Sequence, residues 1–151
     1  MHDEWFDPMA GETRAFMRLT REEAPDFIVS LHSHASSPSV EPTAYVPHTS
    51  KQTIQKFADR LYKRYADAKL PFRTAGPEPK EDGTTFPPPS FNLSSALHHV
   101  CGGVSFVHET CVGVKTAPYP KLTHAEILDM QMLFYDELFA FAVENPVKWV
   151  K

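Results

Sequence analysis

Asp26-Phe27-Ile28-Val29-Ser30-Leu31-His32-Ser33-His34 is the stretch on which the fold of this chain turns. A run of apolar strand formers, Phe27 to Leu31, stops on a histidine flanked by small polar residues. Such a run reads as a buried β-strand, and in open α/β sheets ligands gather just beyond the carboxyl ends of the strands. A second segment, Val104-Ser105-Phe106-Val107-His108-Glu109, closes in the same way on a carboxylate. One strand-end imidazole and one strand-end glutamate suggest a metal ligand, His32, and a general base, Glu109.

Working outward, Asp7-Pro8 pairs an Asp cap with proline at the first helical position and predicts a helix running to about Glu23. Phe16, Leu19 and Thr20 fall at helical spacing in it, and Ala24-Pro25 breaks it before the strand. Helix, tight loop and buried strand make half of a βαβ unit. Residues Ser36 to Thr49 contain Pro38, Pro42 and Pro47 and read as loop, with a short extended piece around Ala44-Tyr45-Val46. From Ser50 to about Ala68, Ile54, Phe57, Ala58, Leu61, Tyr62 and Tyr65 form one apolar stripe, with Lys51, Lys56, Arg60 and Lys63 mostly off it: an amphipathic helix. As a crossover between the two strands it makes them parallel, so that their carboxyl ends open on one edge.

Pro71 to Pro89 holds six prolines and reads as a long loop that shapes access to the site. Ser90 to His99 predicts a short helix capped by Ser90, and Cys101-Gly102-Gly103 a turn into the second strand. Thr123-His124-Ala125-Glu126 is a capping box. The helix it opens is apolar nearly all round, which predicts packing on a sheet face and under a neighbour or partner. The fold class expected is α/β: a mixed, mostly parallel sheet flanked by helices.

At 151 residues the chain has the length of one domain with a real core. Its 42% hydrophobic and 23% charged residues mark it as globular. A net charge of −4 and the lack of a basic stripe argue against nucleic acid as a partner. No apolar run approaches the ~20 residues that span a bilayer, and Met-His-Asp-Glu-Trp-Phe does not open like a signal peptide, so a cytoplasmic protein is expected. Cys101 and Cys111 flank an extended segment about 20 Å long at ~3.3 Å per residue, too far for a disulfide, and read as reduced thiols.

Hydrolysis of an unactivated amide needs a polarised carbonyl, a nucleophile at neutral pH and a base for the water proton. Zinc supplies the first two, and a nearby carboxylate supplies the third. A catalytic zinc needs three protein ligands and an open position. Other candidates have plainer readings. His34 lies on the same strand face as His32 and reads as a loop residue of the cleft rim, with a supporting partner or a substitute ligand as the alternatives. His98, His99 and Cys101 resemble a metal cluster, but adjacent helical residues point to different faces. His108 alternates with Glu109, so if one faces the cleft the other faces a packed helix. Tyr45 reads as a structural aromatic, and His2-Asp3-Glu4 as a solvated terminus.

Glu12-Thr13-Arg14-Ala15-Phe16-Met17, followed by Ala24-Pro25-Asp26-Phe27-Ile28-Val29-Ser30-Leu31-His32-Ser33, resembles the helix and strand that deliver the last zinc ligand in zinc carboxypeptidases of the carboxypeptidase A type. Ser105-Phe106-Val107-His108-Glu109 resembles that family's later strand, whose glutamate is the general base, and the final helix resembles its C-terminal helix. The resemblance implies that His32 is a zinc ligand and Glu109 the base. It also implies that residues 1–151 are the C-terminal portion of a carboxypeptidase-like domain, with the remainder of the catalytic domain upstream.

The implied activity is zinc-dependent release of a C-terminal residue from a peptide or small amide substrate, with this chain inactive alone. The alternatives are a zinc-dependent deacylase of N-acyl amino acids and a non-catalytic binding relative. The chain departs from the family in three respects. The H-x-x-E motif carrying the first two ligands is absent, since none of the eight histidines has Glu three places on. The arginine and asparagine that grip a substrate carboxylate also belong upstream. The family's loop tyrosine has no match in Phe86-Pro87-Pro88-Pro89-Ser90-Phe91. Substrate preference therefore stays open.

Overall fold

A computed structural model describes residues 11–34, 39–42, 46–70, 92–111 and 122–147. Its elements in chain order are α1 (Gly11–Glu23), β1 (Phe27–His34), β2 (Ser39–Pro42), α2 (His48–Asp67), α3 (Leu93–Cys101), β3 (Val104–Cys111) and α4 (His124–Glu144). The chain is α/β, a small three-stranded mixed sheet with four helices. Strand order is β1-β3-β2, with β1 parallel and β2 antiparallel to β3. Among the described residues the pairing is thus one parallel and one antiparallel, less parallel than the sequence suggests.

The antiparallel strand is β2, in the proline-marked stretch that reads as loop. Pro42 is its last residue, at the sheet edge, where a missing N–H interrupts no interior ladder. Val40 seals it to the helix layer: its backbone N–H donates to the Tyr62 hydroxyl at 2.8 Å, and its side chain is buried.

The two-residue period of the strands divides the molecule into layers. Phe106 meets Phe57 of α2 at 5.3 Å between ring centroids, and His108 meets Phe134 of α4 at 4.0 Å, so the even positions of β3 face α2 and α4. Ser105 points the other way and donates its Oγ hydrogen to the Ser94 carbonyl of α3 at 2.7 Å. Helix α3 covers this second face, and α1 packs on α3.

The core lies on the first face. The α2 stripe is buried at Ile54, Phe57, Ala58, Leu61 and Tyr65, and Phe57 also packs edge-on to Phe134 and Phe141 of α4. Burying one such large side chain stabilises by roughly 1.5–3 kcal/mol. Tyr65 satisfies its buried hydroxyl by donating to the Met130 carbonyl at 3.2 Å, and burial raises the phenol's pKa.

Helix α4 begins at the foreseen capping box, with Thr123 and Glu126 bonded reciprocally. Met130, Phe134, Glu137 and Phe141 are buried, whereas Leu128, Met132, Tyr135, Phe139 and Val143 leave an exposed apolar stripe. The cap of α3 is Asn92 rather than Ser90. Its side chain accepts from the Ser95 N–H while the Ser95 hydroxyl accepts from the Asn92 N–H. In α1 only Thr20 is buried, and the expected apolar residues Phe16 and Leu19 are exposed. The Asp7-Pro8 helix start, the extended piece at Ala44-Tyr45 and the Pro71–Pro89 loop lie outside the described residues.

Candidate functional site

The β1–β3 ladder runs from Phe27 opposite Val104 to His34 opposite Cys111, which sets His32 directly across from Glu109. Both strands outlast their apolar runs, so the pair stands in the last turns of pleat at the shared carboxyl end of the sheet. Register carries this arrangement. A slip of one residue would turn one of the two side chains to the opposite face.

The turn between α3 and β3 pins that register. The Val104 N–H donates to the Asp26 carbonyl at 2.8 Å, at the foot of β1. Gly102 closes α3 in the left-handed region at φ 77°, a conformation glycine adopts without strain. Gly103 passes so close to β1 that a Cβ there would lie 2.3 Å from the Pro25 carbonyl oxygen.

His32 Nδ1 lies 3.6 Å from Glu109 Oε1. That is too long for a direct hydrogen bond, and one solvent oxygen can lie within bonding reach of both. The His32 side chain is 56% exposed and that of Glu109 14%, so the imidazole faces solvent while the carboxylate is sheltered by the sheet. Ser30, two residues before His32 on the same strand face, places its Oγ 3.1 Å from His32 Nε2. The two-residue period of the strand puts Ser30 on the same face as His32.

The remaining candidates separate from this pair. His108 turns away into the helix layer, as alternation with Glu109 required, and lies nearly flat on Phe134 at 4°. Burial lowers its pKa to about 4, against an opposing hydrogen bond with the Ser39 backbone. His98 is buried against the Gly103 carbonyl, 2.7 Å from Nδ1, and the Gly103 N–H donates to Cys101 Sγ at 3.3 Å. His98 and Cys101 thus bond the α3–β3 turn, and His99 packs edge-on to His98. His34 belongs to β1 opposite Cys111, but its side chain lies outside the described residues, as do Tyr45 and His2-Asp3-Glu4.

Two concavities lie elsewhere on the described surface. A groove of about 740 Å³, lined by Phe16, Leu19, Ile28, Leu93 and Leu97, reaches Ser30 and Leu31. A cleft of about 610 Å³ lies at the amino end of β3, bounded by Ser50, Thr53, His98 and Gly102. Neither His32 nor Glu109 lines either one.

Comparisons with protein-family models, with curated proteins and with solved structures gave no significant match. No helix among the described residues is long and apolar enough to cross a membrane. As for zinc, one imidazole and one carboxylate at a shared strand end are of the right donor chemistry. They are too few to hold it, and no group of three or more histidine, cysteine or acidic side chains suited to a metal occurs among the described residues.

Proposed function

We propose that the chain is the C-terminal portion of a zinc carboxypeptidase-like domain that hydrolyses the C-terminal amide bond of a peptide or small amide substrate. The observation that carries the reading is the direct pairing of His32 with Glu109 on adjacent parallel strands, 3.6 Å apart at Nδ1 and Oε1. His32 would hold zinc, which when bound polarises a carbonyl and acidifies water. Glu109, sheltered and beside it, accepts the water proton. The remaining ligands would come from residues outside those described, with the upstream part of the catalytic domain as the expected source. The chain alone would bind zinc weakly and turn nothing over.

The test is zinc content and peptide hydrolysis in the protein expressed from its whole natural reading frame. Stoichiometric zinc that is lost in His32→Ala supports the ligand assignment, and zinc content unchanged in that variant overturns it. A non-catalytic relative is favoured by the shortage of donors among the described residues. Absence of both zinc and turnover from the whole protein would establish that second reading.

A further inference from the structure

We propose that the open edge of β1 and the groove beside it dock an extended peptide of another molecule as an added strand. Its chemistry is an apolar side chain at every second position and a basic residue near one end. The proposal stands apart from the hydrolase reading, since it invokes neither metal nor turnover.

Backbone geometry specifies an extended partner. β1 is an edge strand, in the order β1-β3-β2. The N–H and C=O of one strand residue point to the same side, and that side alternates along the chain. The Asp26 carbonyl accepts from Val104 of β3, so the even positions of β1 bond β3. Phe27, Val29, Leu31 and Ser33 therefore turn their N–H and C=O groups outward, where none has a partner among the described residues. These groups recur every ~6.6 Å, a spacing that extended backbone matches. Proteins ordinarily blunt such an edge with lysine, proline or a bulge. The opposite edge strand, β2, ends in Pro42, whereas the eight residues of β1 include neither proline nor lysine.

The groove specifies the side chains. Ile28 lies opposite Ser105, whose hydroxyl bonds Ser94 of α3, so the even positions of β1 face α3. On that face Ile28, Leu93 and Leu97, with Phe16 and Leu19 of α1, line the groove of about 740 Å³. Phe16 and Leu19 remain 56% and 51% exposed. A strand added to β1 sends every second side chain to this face, where large apolar ones would cover both. Among the described residues Glu23 is the one charged side chain of the lining, and a lysine or arginine of the partner complements it. A second copy of β1 fits less well. It would bring Ser30 and His32 to this face in place of large apolar residues, and a second Glu23 beside the groove.

The experiment follows fluorescence anisotropy of a labelled probe, acetyl-Lys-Leu-Thr-Leu-Thr-Leu-Thr-Lys-amide, titrated with the full chain. Saturable one-to-one binding is expected. Leu19→Ser should weaken it about tenfold through one lost apolar contact. Leu31→Pro, which removes one outward N–H and spares the bonds to β3, should weaken it about fivefold. N-methylation of one alternate set of probe residues, the leucines or the threonines, should abolish binding while the other set tolerates it. Circular dichroism and urea midpoints report folding of the variants; should Leu31→Pro unfold, the methylated probes test the same bonds. Absence of saturable binding, affinity unchanged in Leu19→Ser, or tolerance of both methylated probes overturns the proposal. Sedimentation equilibrium of the chain alone tests the other occupant: a dimer dissociated by Leu31→Pro assigns the edge to a second copy and overturns it too.

Discussion

Arg60 of α2 and Glu137 of α4 form a 2.5 Å ion pair that closes the helix layer over the core, with the carboxylate only 6% exposed. Glu137 is also 3.3 Å from Arg64, which pairs with Asp136, while Arg60 bonds Glu144 at 2.5 Å and lies over the Phe141 ring. Two arginines therefore share one buried acid. Both keep about a third of their surface in water, at 38% and 31% exposure, so they can rehydrate if it is removed.

Glu137→Gln should accordingly destabilise the chain by about 1–3 kcal/mol, below the 3–5 typical of breaking a fully buried pair. Arg60→Ala and Arg64→Ala should each cost less than the double variant requires for additivity, because either arginine still neutralises Glu137. Urea midpoints of these four variants and of wild type check this. A Glu137→Gln variant as stable as wild type would show the cluster to be ornamental.

His108 sets an acid limit on stability. Its folded pKa of about 4 lies below the ordinary 6.5, so the folded chain resists a proton that the unfolded chain accepts. Stability from this residue is complete above about pH 6.5 and falls as pH drops toward 4, by up to about 1.4 kcal/mol per pH unit. Below that it levels off, after a total loss of roughly 3 kcal/mol. Chemical denaturation between pH 4 and 7 should show a shallower slope in His108→Phe, which keeps a ring against Phe134. Identical slopes would mean that the imidazole is already charged in the folded state.

Gly103→Ala should destabilise by about 2 kcal/mol, toward the middle of the range for forced overpacking. The methyl would meet backbone, the Pro25 carbonyl oxygen at 2.3 Å, which cannot swing aside as a side chain can. Relief requires β3 to shift against β1, so the His32–Glu109 approach should open as well. Thermal unfolding together with His32 NMR shifts measures both consequences.

On the proposed hydrolase reading, Glu109→Gln in the whole protein should keep zinc content and lower kcat by about 100-fold or more, as loss of a general base does, with KM little changed. An amide in place of the carboxylate preserves shape but cannot take a proton. Steady-state kinetics paired with zinc analysis decides it, and undiminished kcat removes Glu109 from the mechanism.

Much of the architecture was legible in local pattern. The stripe from Ile54 to Tyr65, the capping box at Thr123 and Glu126 and the two apolar strands all appear where their periodicities place them. Their boundaries shift by a few residues, and β1 extends through His34 because ladder pairing with β3 carries it past the apolar run. The His32–Glu109 juxtaposition likewise follows from parallel strands, since both residues close comparable runs.

Other features had no local signature. β2 is a strand because β3 offers an edge to Ser39–Pro42, and the proline-marked segment carries no apolar alternation to announce it. Which half of the nearly uniform α4 faces the core was settled by where Phe57 and Phe106 stand, since a helix apolar on every side does not select its own face. Residue types and their spacing thus dictate which segments curl or extend. Pairing partners, register and the company kept by His32 depend on contacts between segments far apart in the chain, and only the assembled sheet provides those.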